Sequence, residues 1–224
     1  METIIISLGG SLIIPEEIDT EFLKHFKSLV LKHINKGKRF ILICGGGKTA
    51  RKYQKAAESL KKASGFEKDI IGIAATKLNA MLVKTIFEDK AVDNLVDDPT
   101  EKIKFNKPIL VASGWKPGCS TDYDAVLIAE NLKAKMVINL SNISYVYDKD
   151  PKFKDAKPMK KMSWDELQKI VGTRWDPGLH APFDPIATKK AKELGLKVVI
   201  MKGTELKNLD NFLNGKDFKG TVIG

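Results

Sequence analysis

The residues best suited to chemistry are Gly45-Gly46-Gly47-Lys48 and Arg51, which follow the apolar run Phe40–Ile43. Residues without a Cβ let backbone N–H groups come close to an anion, and a helix that starts there presents its positive end to the same anion. Lys48 and Arg51 are three residues apart, so both cations are expected on one helix face and within reach of one site. The stretch reads as a phosphate cradle, with a strain-relieving turn as the plain alternative. Two more glycine loops repeat the theme. Gly9-Gly10-Ser11 leaves the apolar strand Thr3–Leu8, and Ser113–Thr121 leaves Pro108–Ala112 carrying Lys116, Gly118, Ser120 and Thr121. Trp115 in the third loop could cover a flat base or the core. Neither G-x-x-x-x-G-K-[ST] nor G-x-G-x-x-G occurs, so the common P-loop and the dinucleotide fingerprint are excluded.

The elements around these loops are legible from periodicity. Helices are expected from Asp19 or Thr20 to Gly37, from Lys48 to about Ser64 with Gly65 as the stop, and after Asp69, which is read either as an N-cap or as an acceptor for a sugar hydroxyl. Thr121 and Asp124 have capping-box spacing, as do Ser163 and Glu166. Met136–Leu140 is a further strand, followed by Ser141-Asn142 and Tyr145–Tyr147. Tyr147 and Asp150 could stack on a base and accept from a ribose, or simply form a β-turn before Pro151. An aperiodic loop from Gly172 to Phe183 precedes a helix capped by Asp184 with Pro185 in its first position. Lys197–Met201 is a last central strand and Thr221–Ile223 an edge strand. Strands alternating with helices argue for one α/β domain over 1–224, a three-layer αβα sandwich with a mainly parallel central sheet. All three glycine loops then fall at the carboxyl ends of strands, where such sheets bind ligands.

Composition narrows the partners. The 224 residues carry a formal charge of +10, but the only arginines are Arg39, Arg51 and Arg174, and the lysines are scattered among acids. That pattern disfavours a nucleic-acid face and suits anionic small molecules. Cys44 and Cys119 are the only cysteines, with no zinc spacing; Cys44 reads as core and Cys119 as a loop thiol. His25 and His33 are expected to be surface or half-buried packing residues. No membrane-length apolar run and no signal-type N-terminal segment are seen, so a cytoplasmic location is expected.

Five stretches in order, Leu8–Leu12, Cys44–Tyr53, Asp69–Leu82, Pro117–Asp122 and Ser141–Lys152, resemble the amino-acid kinase family, and within it the archaeal-type uridylate kinases. The resemblance implies that Gly10, Ser11, Gly47 and Arg51 face ATP phosphates and that Gly46 holds the UMP phosphate. It implies that Asp69 takes the UMP ribose while Trp115, Lys116, Pro117, Gly118, Cys119, Ser120 and Thr121 surround UMP. Ser141, Asn142, Tyr147 and Asp150 would hold adenosine, and Lys48, Arg51 and Asp184 would carry catalysis. It further implies ATP with Mg²⁺, although no metal ligands can be named, and a homohexamer. Another acceptor phosphate or carboxylate on the same fold, or a nucleotide-binding module without turnover, are the alternatives. The chain departs from the family pattern at Ser7, where many members carry a nearby lysine, in Asn142–Tyr147, and in Thr173–Phe183.

Overall fold

Alternation along the first strand sets up both halves of the core. In β1 (Glu2–Leu8) Ile4, Ile6 and Leu8 face one side and Ile5 the other, and in β2 (Lys38–Cys44) Phe40, Leu42 and Cys44 oppose Ile41 and Ile43 in the same way. Strands buried on both faces require a cover on each, because a pleated strand sends successive side chains to opposite sides. The architecture, a computed structural model, describes residues 2–104, 106–150, 152–174 and 181–224. The central part of the Thr173–Phe183 loop, including Trp175 and His180, lies outside the described residues.

The remaining strands are β3 (Ile109–Ala112), β4 (Met136–Ser141), β5 (Val146–Tyr147), β6 (Pro158–Met159), β7 (Lys161–Met162), β8 (Lys197–Lys202) and β9 (Thr221–Ile223). Seven of them form one sheet in the order β3-β2-β1-β4-β8-β9-β7, parallel except where β9 runs against β8. β5 and β6 make a separate antiparallel pair. The helices are α1 (Gly10–Ile13), α2 (Thr20–Ile34), α3 (Gly47–Lys61), α4 (Gly65–Ile86), α5 (Thr121–Asn131), α6 (Trp164–Val171), α7 (Pro185–Glu193) and α8 (Leu206–Leu213). Phe22, Phe26, Val83 and Leu209 bring α2, α4 and α8 onto one face of the sheet; Val126, Ile128, Leu167 and Ala187 bring α5, α6 and α7 onto the other. The three-layer αβα expectation holds.

The chain runs outward from β1 through β2 to β3 and then returns to place β4 on the other side of β1. The gap between β1 and β4 is therefore the topological switch point, the place where open α/β sheets leave room for a ligand. The first glycine loop sits there, with Gly9 N–H donating to Leu140 O at 2.9 Å.

Four local expectations are corrected. Asp69 is not an N-cap: Ser64 and Glu67 form a reciprocal capping box that starts α4 earlier, and Gly65 opens that helix rather than stopping the one before. Ser120, not a Thr121–Asp124 box, caps α5, which frees Asp124 for another role. β9 lies between β8 and β7, so the edge belongs to the two-residue β7. His33 is buried outright and bonds Asp210 at 2.8 Å; burial, more than that bond can offset, lowers its pKa. The Asp19, Ser163 and Asp184 caps are found as expected.

Candidate active site

The first two glycine loops touch backbone to backbone. A Cβ on Gly10 would lie 2.1 Å from Gly47 N, and one on Gly47 would lie 2.3 Å from Gly10 O, so this joint admits only glycine. Gly47 also has φ +61, a left-handed conformation that side chains disfavour. The hydrogen-bond pattern separates structural from available donors. Gly9, Gly45 and Lys48 commit their N–H groups to Leu140, Leu8 and Ile14 carbonyls at 2.9, 3.0 and 3.1 Å. Gly10 and Ser11, opening α1, and Gly46 and Gly47, opening α3, have no backbone acceptor among the described residues. Four such N–H groups at one joint form a concavity that suits an anion.

Beside the joint is a cleft lined by Gly46, Gly47, Arg51, Asp69, Cys119, Ser120 and Thr121, residues from all of the second loop, α4 and the third loop. Arg51 is exposed and makes no hydrogen bond or ion pair with a described residue. Lys48 does not share its place: it is absent from the cleft lining and its Nζ pairs with Glu16 at 2.8 Å. Here the two cations part: Arg51 lines the cleft, while the turn of α3 brings Lys48 to the Glu16 segment. Asp69 Oδ2 accepts from Gly118 N–H at 2.7 Å, tying α4 to the third loop. Gly118 has φ +89.

Within the third loop, Lys116 Nζ sits 3.7 Å from the centre of the Trp115 ring, and Trp115 N–H donates to Asp124 Oδ2 at 3.2 Å. Ser120 Oγ is occupied by the first N–H groups of α5. Burial, with the Asp124 and Asp184 charges adding to it, pushes the Cys119 thiol up to about 12, so Cys119 is a packing residue rather than a nucleophile. Pro117 is half-buried in the same loop. On the opposite side, Ser141 ends β4, where Gly203 N–H donates to its carbonyl at 2.8 Å. Asn142 is exposed beside it. Tyr147 belongs to the β5–β6 pair, and Asp150 is spent on a local turn, accepting from Lys152 N–H at 3.0 Å and pairing with its Nζ at 2.9 Å. These last two stand apart from the cleft.

Beneath the loops lie three carboxylates, Asp122 half-buried and Asp124 and Asp184 buried. Asp122 Oδ1 accepts from Ser7 Oγ at 2.9 Å and Asn139 Nδ2 at 2.8 Å, and the backbone N–H of Asp184 also donates to it. Ser7 and Asn139 give Asp122 neutral donors only, and burial raises it to about 7. Asp124 is raised to about 8 by burial, against the pull of the Trp115 N–H and with the help of its acidic neighbours. Asp184 Oδ1 caps α7 through Ile186 and Ala187 N–H at 2.5 and 2.8 Å, while its Oδ2, like Asp124 Oδ1, is buried without a partner among the described residues.

Residues that sequence reasoning missed are Gln54, Gly72, Thr76 and Gly114, all on the cleft wall. Thr76 Oγ1 accepts from Gly114 N–H at 2.8 Å, which fixes the root of the third loop on α4. Their position inside long helical or apolar patterns gave no separate signal. Asp124 was hidden because a capping pattern already accounted for it.

A mainly parallel α/β sheet with glycine-loop N–H groups converging at its switch point is an arrangement suited to binding phosphate. The chain belongs to the amino acid kinase family, whose sequence profile matches residues 2–202. It is 35% identical over 215 residues to a uridylate kinase of Sulfurisphaera tokodaii, covering 92% of this chain and 93% of that protein. A uridylate kinase of Pyrococcus abyssi is 33% identical over 224 residues, 98% of each chain. Among solved structures, the uridylate kinase of Archaeoglobus fulgidus superimposes with a TM-score of 0.83 at 32% identity over the whole of both chains. The UMP kinase of Bacillus anthracis, 19% identical with a TM-score of 0.76, shares the fold.

Proposed function

We infer that this chain is a uridylate kinase that moves the γ-phosphoryl group of ATP to UMP, giving ADP and UDP. The observation that carries this reading is the glycine joint, where four uncommitted N–H groups from two loops open beside Arg51. The near full-length relatives named for that activity favour UMP over another acceptor. An acceptor phosphate is already an anion near neutral pH, its second pKa being about 6, so no side chain has to deprotonate it. Catalysis is then alignment of two mutually repelling phosphates and neutralisation of the charge passing between them. We assign Gly10, Ser11, Gly47 and Arg51 to the ATP phosphates, Gly46 to the UMP phosphate, Asp69 to the UMP ribose, and residues 115–121 to the surround of UMP. Ser141 and Asn142 at the switch point, with Tyr147 and Asp150 beyond them, are assigned to the adenosine end. Lys48 enters only by leaving Glu16, and Asp184 acts from beneath as a carboxylate whose second oxygen is unspent.

Magnesium fits in a restricted sense. The described residues include no group of three or more His, Cys, Asp or Glu side chains able to hold a metal. Mg²⁺ ordinarily keeps waters and binds through substrate phosphates with few protein ligands, so the ion here would be held by ATP and UMP oxygens and would supply charge neutralisation. We also propose that 1–224 acts as one domain in a homohexamer. Phe66, Ile70, Leu78 and Met81, each about half exposed or more, share one face of α4, and such an unpaired apolar stripe suits contact with a second copy. No helix among the described residues is long and apolar enough to cross a membrane; we place the enzyme in the cytoplasm, supplying UDP to pyrimidine nucleotide synthesis. ADP release measured with UMP, CMP, AMP and acidic metabolites tests the activity. UMP should stimulate it most, and no response to UMP overturns the reading.

A further inference from the structure

Gln54 stands on the cleft wall with no part in any motif above. It lies three residues beyond Arg51, so it is on the same side of α3 and one turn deeper into the cleft, opposite Asp69 and Gly72. Its Nε2 donates to the Lys68 carbonyl of α4 at 2.8 Å. A carbonyl can only accept, so this bond fixes which end of the amide is nitrogen. The Oε1 end is left as an acceptor with no partner among the described residues.

The neighbouring Asp69 gives this acceptor a purpose. One of its two oxygens, Oδ2, is taken by Gly118 N–H at 2.7 Å, which leaves Oδ1 for a ligand. A ribose offers two adjacent O–H donors, and a hydroxyl brought into a cleft without an acceptor loses its bond to water for nothing in return. Asp69 Oδ1 can serve one of the pair. The geometry points to Gln54 Oε1 as the acceptor for the other, making Gln54 a specificity-determining residue that favours an acceptor nucleotide with an intact ribose diol over a deoxy sugar. The two helices supply one acceptor each, and the Gln54–Lys68 bond sets their spacing.

This inference rests on the uridylate-kinase reading, and the wild-type enzyme assayed with UMP checks that reading independently. The decisive comparison is Gln54→Leu against wild type with UMP, 2′-deoxy-UMP and 3′-deoxy-UMP, measuring KM and kcat for each together with KM for ATP. Wild type should prefer UMP to both analogues. In Q54L the UMP KM should rise about tenfold, the size of one lost hydrogen bond to a site built for it, with kcat and the ATP KM little changed. At the same time the preference over at least one deoxy analogue should fall by about the same factor. A structural latch alone would weaken UMP and both deoxy analogues equally, and a wild-type preference ratio in Q54L overturns the inference. Gln54→Met, which keeps the length and apolar stem of the side chain, gives the same reading if Q54L folds poorly, and calorimetric binding of UMP and 2′-deoxy-UMP repeats it without turnover.

Discussion

Replacing Asp124 with Asn should stabilise the protein, and by an amount that grows with pH. Asp124 is 1% exposed, accepts from Trp115 N–H through Oδ2, and leaves Oδ1 buried without a partner. Burial foremost raises its pKa from 3.8 to about 8. In the unfolded chain the group ionises near pH 4, so between about pH 4 and pH 8 folding must take up a proton, and the cost grows as pH rises until the folded pKa is passed. At pH 7, roughly three pH units above the unfolded pKa at about 1.4 kcal/mol each, the cost is about 4 kcal/mol. Asn has the same shape, keeps an acceptor for Trp115 and carries no titratable proton. Its Nδ2 lacks an acceptor, but so does the O–H of the neutral acid, and the two terms nearly cancel. After partial relaxation of the polar surroundings, Asp124→Asn should gain about 2–4 kcal/mol at pH 8 and about 1 kcal/mol at pH 5. For a chain of this size the larger gain corresponds to a rise in Tm on the order of 10 °C. Urea unfolding followed by circular dichroism at the two pH values measures the difference directly. An equal gain at both, or a loss at pH 8, refutes the claim that a buried carboxylate is being held protonated.

Three other outcomes follow from the same structure. Arg51→Ala should lower kcat by two to three orders of magnitude, on the order of 3–4 kcal/mol of transition-state stabilisation, while thermal unfolding is unchanged because Arg51 is exposed and bonds no described residue; unaltered turnover removes it from the mechanism. Leu78→Asp with Met81→Asp should convert the proposed homohexamer to smaller species in analytical ultracentrifugation, and an unchanged sedimentation profile would move the interface off α4. The Cys119 thiol, pushed up to about 12, should react with a thiol-specific reagent at pH 8 far more slowly than an unburied cysteine; rapid labelling would mean that the third loop opens in solution.

The layered fold was readable because its strands are short apolar runs followed by glycine, and because parallel strands covered on two sides leave that signature. The four N–H donors at the glycine joint were readable for a related reason: strand ends and helix starts are where backbone groups go unpaired. What escaped were features that depend on partners far away in sequence. Asp69 looks like a cap until Ser64 and Glu67 are seen to have started the helix already, and only its bond to Gly118 shows that it faces a loop 49 residues away. Lys48 looks equivalent to Arg51 on a helical wheel, yet Glu16, in a segment with no periodicity, draws it aside. Gln54 is one polar residue among many on a polar-faced helix. The two-residue β7 is too short to leave any pattern, so from the sequence alone Thr221–Ile223 reads as the edge.

The placement of β1 between β2 and β4 also governs how the chain can assemble during synthesis. Ile5 pairs with Ile41 on one side and with Val137 on the other, so one edge of the first strand is satisfied early and the other must wait for nearly a hundred further residues. At translation rates of about 5–20 residues per second that interval is roughly ten seconds. Throughout it, a strand edge carrying Ile4, Ile5, Ile6 and Leu8 is open to any strand that passes, the situation in which nascent chains aggregate. Closure arrives only when β4 docks, and the same event brings the Leu140 carbonyl to Gly9. The central strand is thus completed, and the first glycine loop anchored, by the same late docking.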